Sequence, residues 1–102
     1  MIVRSFDRAV EDFIESLETV TIAKVLHIIE LLRIHGHTLR MPYSKSIGGR
    51  LYELRVRGTQ EVRIFYAFHE DSAILLHGFV KKSQKVPRKE IMRAQERFRV
   101  LT

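Results

Sequence analysis

The hydrophobic period of this chain changes once, near Arg50, from spacings of three and four to strict alternation. Apolar residues three and four apart line one stripe of a helix, whereas alternation lines one face of a strand. The chain must therefore build helices before a sheet and pack the two together, which is an α+β arrangement. Before the change, Phe6, Val10, Phe13, Ile14 and Leu17 carry the helical spacing, with Asp7, Arg8, Glu11, Asp12 and Glu15 between them. This predicts an amphipathic helix with Ser5 as N-cap. A second helix is expected after Thr19, with Ile22, Val25, Leu26, Ile29 and Leu32 as its stripe, Ile28 and Leu31 broadening it, and Gly36 as its stop. The short link between the two predicts an antiparallel hairpin. Met1 to Arg4 is a candidate short edge strand, and residues 37–49, with Pro42, Gly48 and Gly49, are expected to form a loop.

After Arg50 three alternating runs follow: RLYELRVR, EVRIFYAFH and AILLHGFVK. Gly58-Thr59 and Glu70-Asp71-Ser72 supply turns between them, so a three-strand antiparallel meander is expected. Pro87 then suits the first turn of a last helix striped by Ile91, Ala94, Phe98 and Leu101. A chain of 102 residues with this content forms one domain over residues 1–102.

Alternation divides the sheet. One face takes Tyr52, Leu54 and Val56, then Val62, Ile64, Tyr66 and Phe68, then Ile74, Leu76, Gly78 and Val80, and is expected to pack on the helices. The other takes Glu53, Arg55 and Arg57, then Arg63, Phe65, Ala67 and His69, then Leu75, His77, Phe79 and Lys81. On that second face Arg55, Arg63, His77 and Lys81 are expected to converge with Phe65 and Phe79 between them, and Lys82 and Lys85 follow the strand end. Such a surface neutralises phosphates and stacks unpaired bases. The plainer alternative is a solvated outer face.

Charge agrees with a polyanion-binding surface. The net charge is +6, but residues 1–38 hold four Lys/Arg against six Asp/Glu (net −2), and residues 39–102 hold fourteen against six (net +8). Nucleic acid, an anionic membrane and an acidic protein all suit that imbalance. Cysteine is absent, so disulfide, thiolate-zinc and cysteine-nucleophile chemistry are excluded. His35 and His37 flank Gly36 without a nearby carboxylate and are read as surface residues, so no metal or cofactor is expected. No signal peptide and no apolar run of the length that spans a bilayer are evident, which points to a soluble cytoplasmic protein.

The motifs LYELR (51–55), RIFY (63–66) and HGFVKKSQKVP (77–87), with the LRMPYSK loop and the helical hairpin, resemble the phage-derived HigB-like branch of the RelE/ParE toxin superfamily over nearly the whole chain. The resemblance implies a RelE-like fold and the toxin of a type II toxin–antitoxin system. It further implies a cognate antitoxin, often a helix-turn-helix protein, and ribosome-dependent cleavage of mRNA by a metal-independent endoribonuclease (mRNA interferase). ParE relatives share the fold but inhibit DNA gyrase, and a basic binding module without catalysis is the third possibility.

Cleavage by a ribose 2′-hydroxyl needs a proton acceptor, positive charge on the phosphate and a donor to the leaving oxygen. Arg55 and Arg63 suit the phosphate, His77 or a lysine such as Lys81 the proton transfers, and Arg57, Phe65, Phe79, Lys82 and Lys85 the flanking RNA. RelE-type enzymes tend to carry a tyrosine or histidine near the start of the last helix. This chain has Ile91 and Met92 there, and no Tyr or His after His77.

Overall fold

The computed structural model describes all of residues 1–102. Strand β1 (Ile2–Ser5) leads into helices α1 (Arg8–Glu15) and α2 (Thr19–His35). After a single 3-10 turn (Gly36–Thr38) come strands β2 (Ser44–Gly48), β3 (Leu51–Val56), β4 (Val62–His69) and β5 (Ser72–Val80), and helix α3 (Arg88–Leu101) closes the chain. The strands form one sheet in the order β1-β5-β4-β3-β2.

The expected meander is present as β3, β4 and β5, but the sheet is larger and mixed. The N-terminal edge strand forms and runs parallel to β5, pairing Ile2 with Ser72 and Ser5 with Leu75. The segment expected as loop contributes β2, which pairs antiparallel with β3 from Ser44↔Leu54 to Gly48↔Leu51, after a cis Met41–Pro42 bond. Ser5 belongs to β1, and the cap of α1 is Asp7, whose carboxylate accepts from the Val10 amide at 3.4 Å. Asp wins because the chain leaves the sheet at Phe6, whose amide still donates to Leu75 O. α2 ends as expected at Gly36, where φ is +53°, a conformation that glycine adopts without Cβ strain.

Both faces of the sheet are covered. The helical hairpin packs Val10, Ile14, Val25, Ile28 and Leu32 on one face. Contrary to the expected open second face, α3 lays Ala94 and Phe98 on Phe65, Ala67, Ile74, Leu76 and Phe79 of the other. Phe65 and Phe79 are therefore core residues, not stacking platforms.

A bulge in β5 also changes which residues face which helix. Phe65 pairs with His77 while the next residue, Tyr66, pairs with Leu75, so Leu76 is an extra residue that inverts the alternation. Ile74 and Leu76 consequently face α3, and Leu75 faces the hairpin, the reverse of the expected assignment. C-terminal to the bulge the phase agrees with expectation: His77 and Phe79 lie under α3, Gly78 and Val80 under the hairpin.

Gly78 marks the closest approach of α1 to the sheet. A Cβ there would lie 2.6 Å from Cδ2 and Cε2 of the Phe13 ring. Gly78→Ala is expected to lower unfolding free energy by about 1–3 kcal/mol through overpacking. Denaturant titration of a double-mutant cycle with Phe13→Leu checks this: the shorter side chain should remove much of the penalty, and additive losses would exclude the Phe13 contact as its cause.

Candidate functional site: a basic sheet end over a buried ion-pair network

The cross-strand register assembles two rows beneath α3. Glu53, Phe65 and His77 form one, and Arg55, Arg63 and Phe79 the next. Strand pairing brings these six together as alternation requires, but α3 covers Phe65, His77 and Phe79 and leaves Arg55 at its margin.

Arg63 is 2% exposed. Its Nε lies 3.7 Å from Glu53 Oε1, one Nη 3.4 Å from Glu61 Oε1, and the other donates to Val62 O at 3.1 Å. Glu61 in turn is held below its ordinary value, first by the Gly58 amide and then by Arg63 and Arg57. The expectation that Arg63 meets a phosphate is thus corrected: its donors are engaged inside the protein. The expected convergence of cations is offset as well, since Glu61 and Glu90 enter the network beside Glu53.

His77 is enclosed too, at 9% exposure. Its Nε2 meets Glu90 Oε1 of α3 at 3.2 Å, and Arg93 reaches the same oxygen at 3.4 Å. Burial pushes the imidazole below the ordinary histidine value against the pull of Glu90, with Arg97 and Arg93 adding to the depression. Neutral, its Nε2–H donates to Glu90, and the pair ties α3 to the sheet beside the Arg97 bond to Leu76 O at 2.6 Å.

What stays open lies at the end of the sheet. Arg57 is exposed and sits 3.7 Å from Glu61, and the Lys81 amide donates to Glu61 O at 2.7 Å, so Arg57 and Lys81 flank one turn. Lys82 and Lys85 are exposed in the linker to α3. Arg55 is the distinctive member. Its side chain is 19% exposed, its Nε is buried without a hydrogen-bond acceptor, Glu53 stands 3.7 Å away, and one Nη touches only the Met41 Sδ at 3.4 Å. The Nε is enclosed, but the terminal Nη groups of this partly exposed guanidinium have no oxygen acceptor, which leaves them able to take an oxyanion.

Three residues near Arg55 escaped the sequence reading. Lys24 and His27 of α2, and Tyr43 ahead of β2, line the same cavity as Arg55 and Arg57. The spacing of Lys24 and His27 on the outer side of α2 was visible, but nothing in the sequence says which strand end lies beside that side.

Two outcomes follow. Arg63→Ala should destabilise by about 3–5 kcal/mol, because it empties a buried site and leaves the enclosed Glu53 with Arg55 as its one remaining cation, and chemical denaturation would show it. His77 is neutral when folded and takes a proton near its ordinary value of 6.5 when unfolded. Its contribution is therefore fully present above 6.5 and is lost as pH falls from there through the lower folded-state value. The melting temperature should drop as the pH is lowered below 6.5, and His77→Gln should flatten that slope.

The site gains context from comparison. No curated protein matches the sequence. Residues 12–99 match the family described as phage derived protein Gp49-like (DUF891), from within α1 to the last turn of α3. No helix is long and apolar enough to cross a membrane. With nearly the whole chain matched, the protein belongs to the phage-derived Gp49-like family, a family related to the RelE-type toxins.

Proposed function

We propose that this protein is the toxin of a type II toxin–antitoxin system and acts as an mRNA endoribonuclease on translating ribosomes. Support comes from the family, and from one observation above the rest: the Arg55 guanidinium, unsatisfied and beside solvent at a basic sheet end. In this reading Arg55 binds the scissile phosphate and stabilises its pentacoordinate charge, which a group that is always protonated can do without metal. Arg57 and Lys81 add charge from the adjacent turn, and Lys82 and Lys85 hold the flanking backbone. Arg63 and Glu53 are positioning residues that fix Arg55 from below. In this reading Lys81 or the ribosome supplies the proton transfers, and His77, enclosed under α3 against Glu90, does not.

That enclosure of His77 also favours a second reading, a basic module that binds without cutting. Primer extension on transcripts after induced expression separates the two. The expected outcome is cleavage within coding regions that falls at least 100-fold in Arg55→Ala, with its melting temperature retained. Growth arrest with intact transcripts would sink the nuclease and leave the binding module. Arrest with failed gyrase supercoiling in vitro would point instead to a gyrase inhibitor.

A further inference from the structure

α2 stops at Gly36, and the chain that follows meets β2, β3 and β4 across a cavity of about 260 Å³. Register sets Ser46, Tyr52 and Tyr66 in one row across those three strands, and alternation adds Ser44 and Phe68 two residues along on the same face. These side chains line the cavity from the sheet, and His37 and Arg40, both exposed, line it from the turn. It lies on the hairpin side of the sheet, where Tyr52, Tyr66 and Phe68 join the core. Arg55, Arg57 and the lysines after β5 take no part in it.

Four rings crowd this space. Tyr52 stacks on Tyr66 with centroids 5.4 Å apart, Phe68 meets both edge-on at 5.3 and 5.6 Å, and His37 lies on Phe68 at 3.9 Å. The Tyr66 hydroxyl bonds with Ser44 Oγ at 2.6 Å, and burial pushes that phenol above its ordinary value, so it stays neutral. Ser46 and Tyr52 add two hydroxyls that bond no other group of the protein. Arg40 gives one Nη to His37 O at 3.1 Å and pairs with no carboxylate, and no Asp or Glu lines the cavity.

Rings, uncommitted hydroxyls and an unpaired guanidinium together describe the ligand. Roughly 150 Å³ is enough for one benzene ring, so this space admits a single substituted or fused ring and is too small for a peptide segment. Aromatic walls hold a flat ring by stacking. Hydroxyls along those walls need donors and acceptors on the ring's edge, which a heterocycle carries and a hydrocarbon ring lacks. Arg40 adds the call for an anion on a substituent that reaches solvent.

We propose that the cavity between the 3-10 turn and β2–β4 is a nucleotide site, with the base among Tyr52, Phe68 and His37, its edge on the Ser46 and Tyr52 hydroxyls, and its phosphate on Arg40. A free mononucleotide and an unpaired residue of an RNA strand present this same chemistry. The site goes beyond the nuclease reading and does not rest on it.

Isothermal titration of the full chain with the ribonucleoside 5′-monophosphates tests the site. Saturable one-to-one binding of at least one of them is expected. His37→Ala, at an exposed position, should weaken it at least tenfold with the unfolding midpoint retained. Arg40→Ala should weaken the nucleotide at least fivefold and leave the matching nucleoside unchanged, because only the phosphate meets Arg40. A single-stranded homo-oligonucleotide of the preferred base separates the two sources. Oligonucleotide affinity that falls in His37→Ala makes the ligand an RNA residue, and oligonucleotide affinity untouched while the mononucleotide's falls makes it the free nucleotide. No saturable mononucleotide binding up to millimolar concentration, with oligonucleotide affinity indifferent to both variants, overturns the proposal. So does nucleotide affinity lost in Arg55→Ala and retained in both variants, which assigns the nucleotide to the basic sheet end. Binding of 4-hydroxybenzoate that His37→Ala abolishes, where no nucleotide binds, overturns it as well and assigns the cavity to aromatic acids.

Discussion

Arg63 sits between Glu53 and Glu61 in a sheet covered on both faces, and the rest of the site is arranged around that charge. An ionised guanidinium enclosed this fully is costly unless it is paired and hydrogen-bonded; Val62 O and Glu61 accept from its Nη groups, and Glu53 balances its charge at 3.7 Å. Glu53 is thereby held in place, and with it the ion pair to Arg55 on the neighbouring strand. Glu61 is fixed by the Gly58 amide and accepts the Lys81 amide on its carbonyl, so the turn between β3 and β4 and the end of β5 are held as one unit. The exposed cations thus rest on a rigid base, which a charge-binding surface needs if it is to be preorganised.

α3 is what makes the interior of that network possible. By laying Ala94 and Phe98 on Phe65 and Phe79 it removes water from the second sheet face, and through Glu90 it gives His77 its acceptor. The same helix takes aromatics and an imidazole that alternation sets on one sheet face and turns them into core. Arg55 escapes because it lies nearer the edge, where β3 runs past the Ser44↔Leu54 pairing at the end of β2 and only the Arg55 amide to Tyr43 O bond continues the ladder.

That same edge joins the two faces of the molecule. Arg55 and Arg57 point to the basic sheet end and also border the groove along α2, whose outer side carries more apolar surface than the fold consumes. Lys24 ties the two regions mechanically, donating to Arg57 O at 3.3 Å.

The α+β class, the helical hairpin, the three-strand meander, the last helix and the tight turn at Glu70-Asp71 were all legible, because each rests on local period and turn chemistry. So was the shared face of Arg55, Arg63, Phe65 and His77, which follows from alternation, whereas the register that pairs Arg55 with Arg63 and Phe65 with His77 came from the structure. Three things were decided only in three dimensions. β2 depends on a neighbour to complete its hydrogen bonds, and its SKSIG sequence carries no alternation of its own. The bulge at Leu76 lies in a run apolar at both phases, so slipping the register left no trace in hydrophobicity. And whether the row of Arg63, Phe65, His77 and Phe79 faces water or a helix depends on where α3 lands. A residue's side of a strand is set by the local backbone, whereas its burial is set by what the rest of the chain brings against that side.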